Sequence, residues 1–131
     1  RAVLEGVSYS LKDCLEIIRG LGIEVKAVRA SGGGAQSPFW RQLLADIFDR
    51  PVATLETQEG SAYGAALLAM VGARHYASVP EACAHAIREV SRLEPHPKNA
   101  AAYARRYPLF RDLYPALRPA CQAIAQIAGA E

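Results

Sequence analysis

The sequence predicts an α/β domain in which helices alternate with short strands. Apolar residues recur at three- and four-residue steps in several long segments, which is the helical period, and two short runs of strand type lie between those segments. The predicted order is α-β-α-β-α followed by C-terminal helices. Because strands separated by helices pair in parallel through crossover connections, this order favours a parallel sheet covered by helices.

Length and charge limit the classes of function. The chain has 131 residues, about half of them apolar, and a formal net charge of +2. This is enough chain for one domain with a hydrophobic core. The small charge and the absence of a Lys/Arg run predict no nucleic-acid partner. No apolar stretch approaches the roughly 18 residues that cross a bilayer, so no membrane partner is predicted either.

The cysteines and histidines do not form a metal-binding or disulfide pattern. They are Cys14, Cys83, Cys121, His75, His85 and His96. The cysteines are odd in number and lie in apolar helical patterns, which predicts buried free thiols in a reducing compartment, the cytoplasm. The histidines show no metal-ligand spacing, so no metal site is predicted in this chain.

The first half of the chain provides two helices and two strands. The first helix runs to Gly20, a strand spans Val25–Ala30, a helix spans Phe39–Phe48 and a second strand spans Pro51–Leu55. The apolar face of the first helix is predicted to be buried; it comprises Leu4, Val7, Leu11, Cys14, Leu15, Ile18 and Leu21.

The second half is predicted to be helical throughout. Thr57 is a candidate N-cap for a helix over 58–71, which is rich in small residues suited to tight packing, and another helix spans 81–90. The region 99–128 is expected to form two or three short or kinked helices, because three prolines interrupt it: Pro108, Pro115 and Pro119. Two strands cannot form a stable buried sheet. Either further strands of this chain escape the sequence pattern, or the missing strands precede Arg1 in a longer protein, and we expect the second.

A glycine loop, SGGGAQSP at 31–38, connects the first strand to the second helix. Three consecutive glycines permit backbone angles that a Cβ forbids and leave room for a ligand near the main chain. Ser37 is a plausible N-cap and Pro38 suits the first helical position. The unpaired N–H groups of such a helix end favour an anion, and a nucleotide is the obvious candidate.

Two interpretations of this loop follow from the residues alone. One is a tight structural turn without a ligand. The other is a dinucleotide-binding unit, in which Gly32 and Gly34 follow a strand and Glu56 occupies the place of a ribose-binding acid. The third glycine of that fingerprint is absent, since Ser37 and Pro38 stand in its place.

Several ordered motifs resemble the C-terminal domain of the FGGY carbohydrate kinases. They are SGGGAQSPFWRQLLAD at 31–46, RPV at 50–52 and EGSAYGAA at 59–66, with RAVLEGVS at 1–8 and LYPAL at 113–117. The resemblance therefore runs nearly from end to end. Within the family, the chain is most similar to the members that phosphorylate D-xylulose.

The resemblance implies part of an actin-like, ribonuclease-H-like ATPase domain. Residues 1–93 would be the C-terminal part of the nucleotide-binding domain and 94–131 a helical extension of it. ATP with Mg²⁺ would phosphorylate a ketopentose, D-xylulose, to xylulose 5-phosphate. The sugar would bind mainly to an N-terminal domain outside this chain, so the fragment alone is expected to be inactive.

The resemblance also implies which residues bind the nucleotide. The family's adenosine-binding loop matches Gly32, Gly33, Gly34 and Ala35, and Gln36, Ser37 and Pro38 would lie at its edge. No catalytic residue is assigned, because the family's catalytic aspartate precedes the matched region. The segment from Glu59 to Gly64 is expected to pack against this loop. Two further expectations concern the core: Trp40 belongs to it, and an aromatic stripe packs there, comprising Tyr103, Tyr107, Phe110 and Tyr114.

Two other classes of function remain as alternatives. One is a non-catalytic interaction or regulatory domain of the same fold, and the other is a dinucleotide-binding oxidoreductase domain. A homodimer is also left open by the sequence.

Overall fold

The computed structural model describes residues 1–26, 28–57 and 60–128. The helices in these residues are α1 (Ala2–Gly20), α2 (Pro38–Phe48), α3 (Gly60–Gly72), α4 (Val79–Ala86) and α5 (Pro97–Ala128). The strands are β1 (Val28–Ala30), β2 (Val52–Leu55) and β3 (Glu89–Leu93), and a short 3-10 helix covers Gly33–Gln36.

The strands form one three-stranded sheet in the order β1-β2-β3. β1 and β2 are parallel, with Val28 opposite Val52, which confirms the predicted strand–helix–strand unit. β3 is antiparallel to β2, so the sheet is mixed. Within the described chain β1 pairs with β2 alone, and its other edge is open.

The predicted helix over 81–90 is wrong in its second half. Helix α4 ends at Ala86 and the chain then becomes extended and forms β3. The apolar residues of this segment have a spacing that also suits a helix. The edge of β2 decides the outcome, because its backbone groups pair with β3 and the N–H of Glu56 donates to the carbonyl of Arg88 over 3.0 Å.

The predicted division of the C-terminal region into two or three helices is also wrong. Helix α5 is continuous from Pro97 to Ala128 and contains all three prolines, Pro108, Pro115 and Pro119. Each proline removes one helical hydrogen bond and leaves a carbonyl one turn earlier without its partner. These carbonyls belong to Ala104, Arg111 and Pro115, which are all exposed, so water can satisfy them.

The hydrophobic core lies where α2 packs between α1 and α5. It consists of Tyr9, Leu15, Leu43, Ile47, Phe48 and Tyr103. Of the predicted aromatic stripe, Tyr103 is buried and Tyr107 and Phe110 pack against the core, whereas Tyr114 is 71% exposed. The prediction is therefore confirmed for three residues and wrong for Tyr114.

The predicted buried face of α1 is confirmed in part, since Leu15 is buried and Leu4 packs against the core. Val7, Leu11, Ile18 and Leu21 are exposed, and the buried residues are Ser8, Tyr9, Lys12 and Leu15. Polar contacts account for the burial of Lys12 and Tyr9. The Nζ atom of Lys12 donates to the carbonyl of Ile47 over 2.7 Å, and its burial lowers the pKa of Lys12. The hydroxyl of Tyr9 donates to the carbonyl of Tyr103 over 3.3 Å.

The cysteines are free thiols, as predicted, but they are not buried. Cys14 and Cys121 are exposed and Cys83 is half-buried. Among the described helices, none combines the length and the apolar character that crossing a membrane requires.

Candidate functional site

A cavity of about 460 Å³ lies at the carboxyl ends of the parallel strands β1 and β2. In open α/β sheets ligands bind in the crevice at this end of the strands. The volume lies within the range of small-molecule sites, roughly 300–1,000 Å³. We call it the strand-end cavity; its lining comprises Ala30, Ser31, Gly32, Ala35, Gln36, Arg41, Thr54, Leu55, Glu56, Thr57 and Val90.

The glycine loop forms one wall of the strand-end cavity. Gly32 has φ +80° and ψ −175°, a conformation that is essentially restricted to glycine. The chain then turns into the 3-10 helix, in which the N–H of Ala35 donates to the carbonyl of Gly32 over 3.1 Å. The hydroxyl of Ser37 accepts from the N–H of Trp40 over 3.3 Å, and Pro38 opens α2. The predicted cap and first helical residue are thus confirmed.

The candidate nucleotide-binding residues separate into three groups. Gly32, Ala35 and Gln36 line the strand-end cavity. Gly34, together with Ala35, lines a second cavity of about 430 Å³ between α1, β1 and α2. The remaining candidates, Gly33, Ser37 and Pro38, lie outside the described lining of both cavities.

Gly34 lies against the ring of Trp40. A Cβ on Gly34 would come within 2.8 Å of Cε3 of that ring, closer than real Cβ atoms lie. The ring is held from its other side, because its Nε1–H donates to the hydroxyl of Ser8 over 3.1 Å. Ser8 is fully buried and donates in turn to the carbonyl of Leu4. Trp40 therefore packs against the core, as predicted, and the missing side chain at Gly34 makes room for it.

Arg41 links three elements at the strand-end cavity and was not identified from the sequence. It lies in the first turn of α2, and its Nη1 donates to the hydroxyls of Thr54 on β2, over 3.3 Å, and Ser91 on β3, over 3.1 Å. The sequence does not indicate this role of Arg41, because its partner Ser91 lies in β3, a strand whose first residues have a helical pattern. Arg41 and Glu56 are the charged side chains in the described lining.

Asp46 is buried at the contact between α2 and α5, with its side chain 4% exposed. It accepts hydrogen bonds from the side chains of Gln42 and Asn99 and from the N–H of His96, and the His96 ring lies 3.3 Å from it. Burial raises the pKa of Asp46, but these contacts outweigh it and hold the pKa below its ordinary value. The carboxylate thus joins α5 to α2, outside the lining of the strand-end cavity.

The start of α3 lies beside the start of the glycine loop. A Cβ on Gly60 would lie 3.2 Å from the hydroxyl oxygen of Ser31, so the glycine permits this close approach. Glu59 lies outside the described residues, and a Cβ on Gly64 would meet no described atom within 4 Å. Most other small residues of α3 are exposed in the described chain, so their tight packing stays a prediction.

The described residues contain no group of three or more His, Cys, Asp or Glu side chains that could hold a metal ion. Mg²⁺ on a nucleotide is usually held by phosphates and waters with one or two carboxylates, and Glu56 is the carboxylate in the described lining of the strand-end cavity.

The fold is shared with solved sugar kinases. A ligand-bound xylulose kinase from Lactobacillus acidophilus matches with a TM-score of 0.82 and 30% identity, over 90% of this chain and 24% of its own. A gluconate kinase from the same organism matches with a TM-score of 0.81 and 31% identity, over 89% and 24%. The fold is thus part of an actin-like ATPase domain.

The sequence comparison agrees with the structural one. The family model for the C-terminal domain of the FGGY carbohydrate kinases matches residues 1–73. The xylulose kinase of Escherichia coli strain K12 is 41% identical over 120 residues, which are 91% of this chain and 25% of that protein. The chain belongs to the FGGY family of carbohydrate kinases. It spans about a quarter of the length of such relatives.

Proposed function

We propose that this chain forms the adenosine-binding part of an ATP-dependent kinase that phosphorylates a ketopentose, D-xylulose, to xylulose 5-phosphate. The strand-end cavity carries the proposal, because it lies at the carboxyl ends of parallel strands and is walled by the glycine loop. The family and the relatives named xylulose kinase support the choice of reaction. The likeness to a gluconate kinase makes a sugar acid the substrate to test against it.

The proposed role of the loop is to bring the nucleotide close to the main chain. Gly32 lacks a side chain at the cavity wall, and a Cβ built there would meet no described atom within 4 Å. A ligand can therefore approach the backbone from that side. The proposed nucleotide-binding set is the loop as a whole: Gly32, Gly33, Gly34, Ala35, Gln36, Ser37 and Pro38.

The proposed contribution of this chain to catalysis is positioning. Phosphoryl transfer depends mostly on aligning the phosphate donor with the acceptor hydroxyl and on stabilising the charge of the phosphates. Mg²⁺ bound to ATP would supply part of that stabilisation in the intact enzyme. The sugar and the base that accepts its proton would lie on a second domain, and the three free thiols suit a cytoplasmic enzyme.

The test uses the intact protein that carries this chain. ATP binding is measured by calorimetry, and ADP release is followed with D-xylulose, other ketopentoses, polyols and gluconate. We expect ATP binding and fastest turnover with D-xylulose. Fastest turnover with gluconate would replace the substrate, binding of NAD⁺ without ATP would favour an oxidoreductase, and binding of neither would favour a non-catalytic domain.

A further inference from the structure

The pairing of β2 with β3 contains an irregularity at the strand-end cavity. Thr54 lies opposite Ser91, but the next residue, Leu55, lies opposite Glu89. Val90 is therefore left without a partner in β2, as the extra residue of a β-bulge. Bulges are common beside functional sites, where they change the direction of a side chain.

The bulge leaves an apolar side chain at the cavity surface. Val90 lines the strand-end cavity and is 62% exposed. The described lining also contains the apolar residues Ala30, Ala35 and Leu55. The cavity thus offers aliphatic side chains as well as the backbone groups of the glycine loop. An amphiphilic ligand with a flat apolar ring and a charged tail matches this combination.

Arg41 holds the strands at the position where the bulge begins. Its Nη1 donates to Thr54 and to Ser91, the last regular pair before Val90. Its Nε is buried and has no hydrogen-bond partner in the described chain. A buried donor without a partner is unfavourable, so Nε does not hold Arg41 in place. The two hydroxyl contacts of Nη1 are what keep Arg41 in this position.

We propose that Val90 is a binding residue that packs against the face of the nucleotide base, and that Arg41 is a positioning residue that keeps the bulge in place. The inference rests on the proposed function and adds to it two residues outside the glycine loop. A contact with the face of the base forms no hydrogen bond to the edge groups that distinguish adenine from guanine. Val90 therefore strengthens the binding of any purine nucleotide and contributes little to the choice between adenine and guanine.

The first experiment replaces one methyl group of Val90 by a hydroxyl in the intact protein. Val90→Thr keeps the size and the branched shape of the side chain but makes its surface polar. We expect the dissociation constants of ATP and of adenosine to rise about three- to fivefold. Inhibition by inorganic tripolyphosphate should stay within about twofold of the unsubstituted protein. Val79→Thr is the matched control, because Val79 is also exposed, at 42%, and lies outside the described cavity lining.

The second experiment addresses Arg41. Arg41→Met removes both hydroxyl contacts, and we expect the KM for ATP to rise about fivefold while kcat stays within about twofold. Arg41→Lys can restore a contact to one hydroxyl and should recover part of the loss. A role in stability alone would lower the amount of folded enzyme without this separation of KM from kcat.

The outcomes separate this inference from the proposed function. If the unsubstituted protein binds neither ATP nor adenosine, the proposed function fails and the inference fails with it. If it binds ATP and Val90→Thr binds adenosine equally well, the inference is overturned and the proposed function stands. Circular dichroism checks folding, and Val90→Ala replaces Val90→Thr with the same expectations if the latter does not fold.

Discussion

The two sides of the glycine loop lie in different surroundings. On one side Gly32 lines an open cavity, and a Cβ there would meet no described atom within 4 Å. On the other side Gly34, two residues later, lies against the ring of Trp40. Two glycines of one run therefore serve different purposes. Gly32 is required by its backbone angles and leaves space at the cavity, whereas Gly34 is required by the packed side chain of Trp40.

The side of Gly34 continues into the core of the molecule. Trp40 contacts Ser8 of α1, and α2 is joined further along to α5 through Asp46. The side of Gly32 continues into the cavity and to the bulge at Val90. We therefore expect substitutions on the core side to change the free energy of unfolding, and those on the cavity side to change mainly the binding of ligands.

The largest effect is expected for Gly34→Ala. The new Cβ overlaps the Trp40 ring, and overpacking of this kind costs about 3 kcal/mol of unfolding free energy. The measurement is the urea midpoint of the intact protein. Gly33→Ala is the matched control, because a Cβ there meets open space and should change stability by less than about 0.5 kcal/mol. Equal midpoints for the two variants would contradict the packing of Trp40 on Gly34.

The next largest effect is expected for Asp46→Ala. Removal of the carboxylate leaves the N–H of His96 and the side-chain amide of Asn99 without this acceptor, whereas the amide of Gln42 keeps the carbonyl of Glu94; we expect a cost of about 2 kcal/mol. Urea unfolding followed by the fluorescence of Trp40 and by circular dichroism measures this loss. If the circular dichroism midpoint fell while the Trp40 fluorescence midpoint did not, α5 would have lost stability without α2, and the two helices would unfold independently.

Asp46 also predicts how stability depends on pH. Its pKa in the folded protein lies below the ordinary value of 3.8, so its contribution is fully present above about pH 4 and is lost as the pH falls through the lowered value. The urea midpoint of the unsubstituted protein should therefore decrease on acidification below about pH 4. Asp46→Asn should lack this part of the decrease. The same acid dependence in both proteins would assign it to other carboxylates.

The smallest effect on stability is expected for Gly32→Ala. The strained backbone costs about 1 kcal/mol, while the dissociation constant of ATP should rise several-fold because the methyl group lies at the cavity wall. Gly72→Ala, at the end of α3, is the control and should leave ATP binding unchanged. If Gly32→Ala lowered stability as much as Gly34→Ala, the proposed difference between the two sides would be wrong.

The sequence predicted well those features that depend on neighbours along the chain. The hydroxyl of Ser37 caps α2, Pro38 occupies its first position and the helix ends at Phe48, as its apolar period predicts. Each follows from contacts over a few residues. The parallel pair of strands around α2 was predicted for the same reason, since a strand–helix–strand segment has one common arrangement.

Features that depend on distant residues were missed or misassigned. The segment Glu89–Leu93 was predicted to be partly helical, and it is a strand because β2 offers it an edge. Of the apolar face predicted for α1, Leu4 and Leu15 pack in the core, but contacts from Lys12 and Tyr9 to α2 and α5 bury residues outside that face. Val90 and Arg41 were missed with β3, since Val90 lies in that strand and Arg41 contacts Ser91 of it.

By itself, the sequence determined the family, the order of the first elements and the position of a glycine loop before a capped helix. These depend on local backbone angles, on the helical period and on motifs that lie within short segments. Only the tertiary structure decided that Gly32 lines a cavity, that Gly34 makes room for Trp40 and that Val90 lies in a bulge. The physical reason is that each of these depends on packing or strand pairing between elements, which local sequence patterns do not specify.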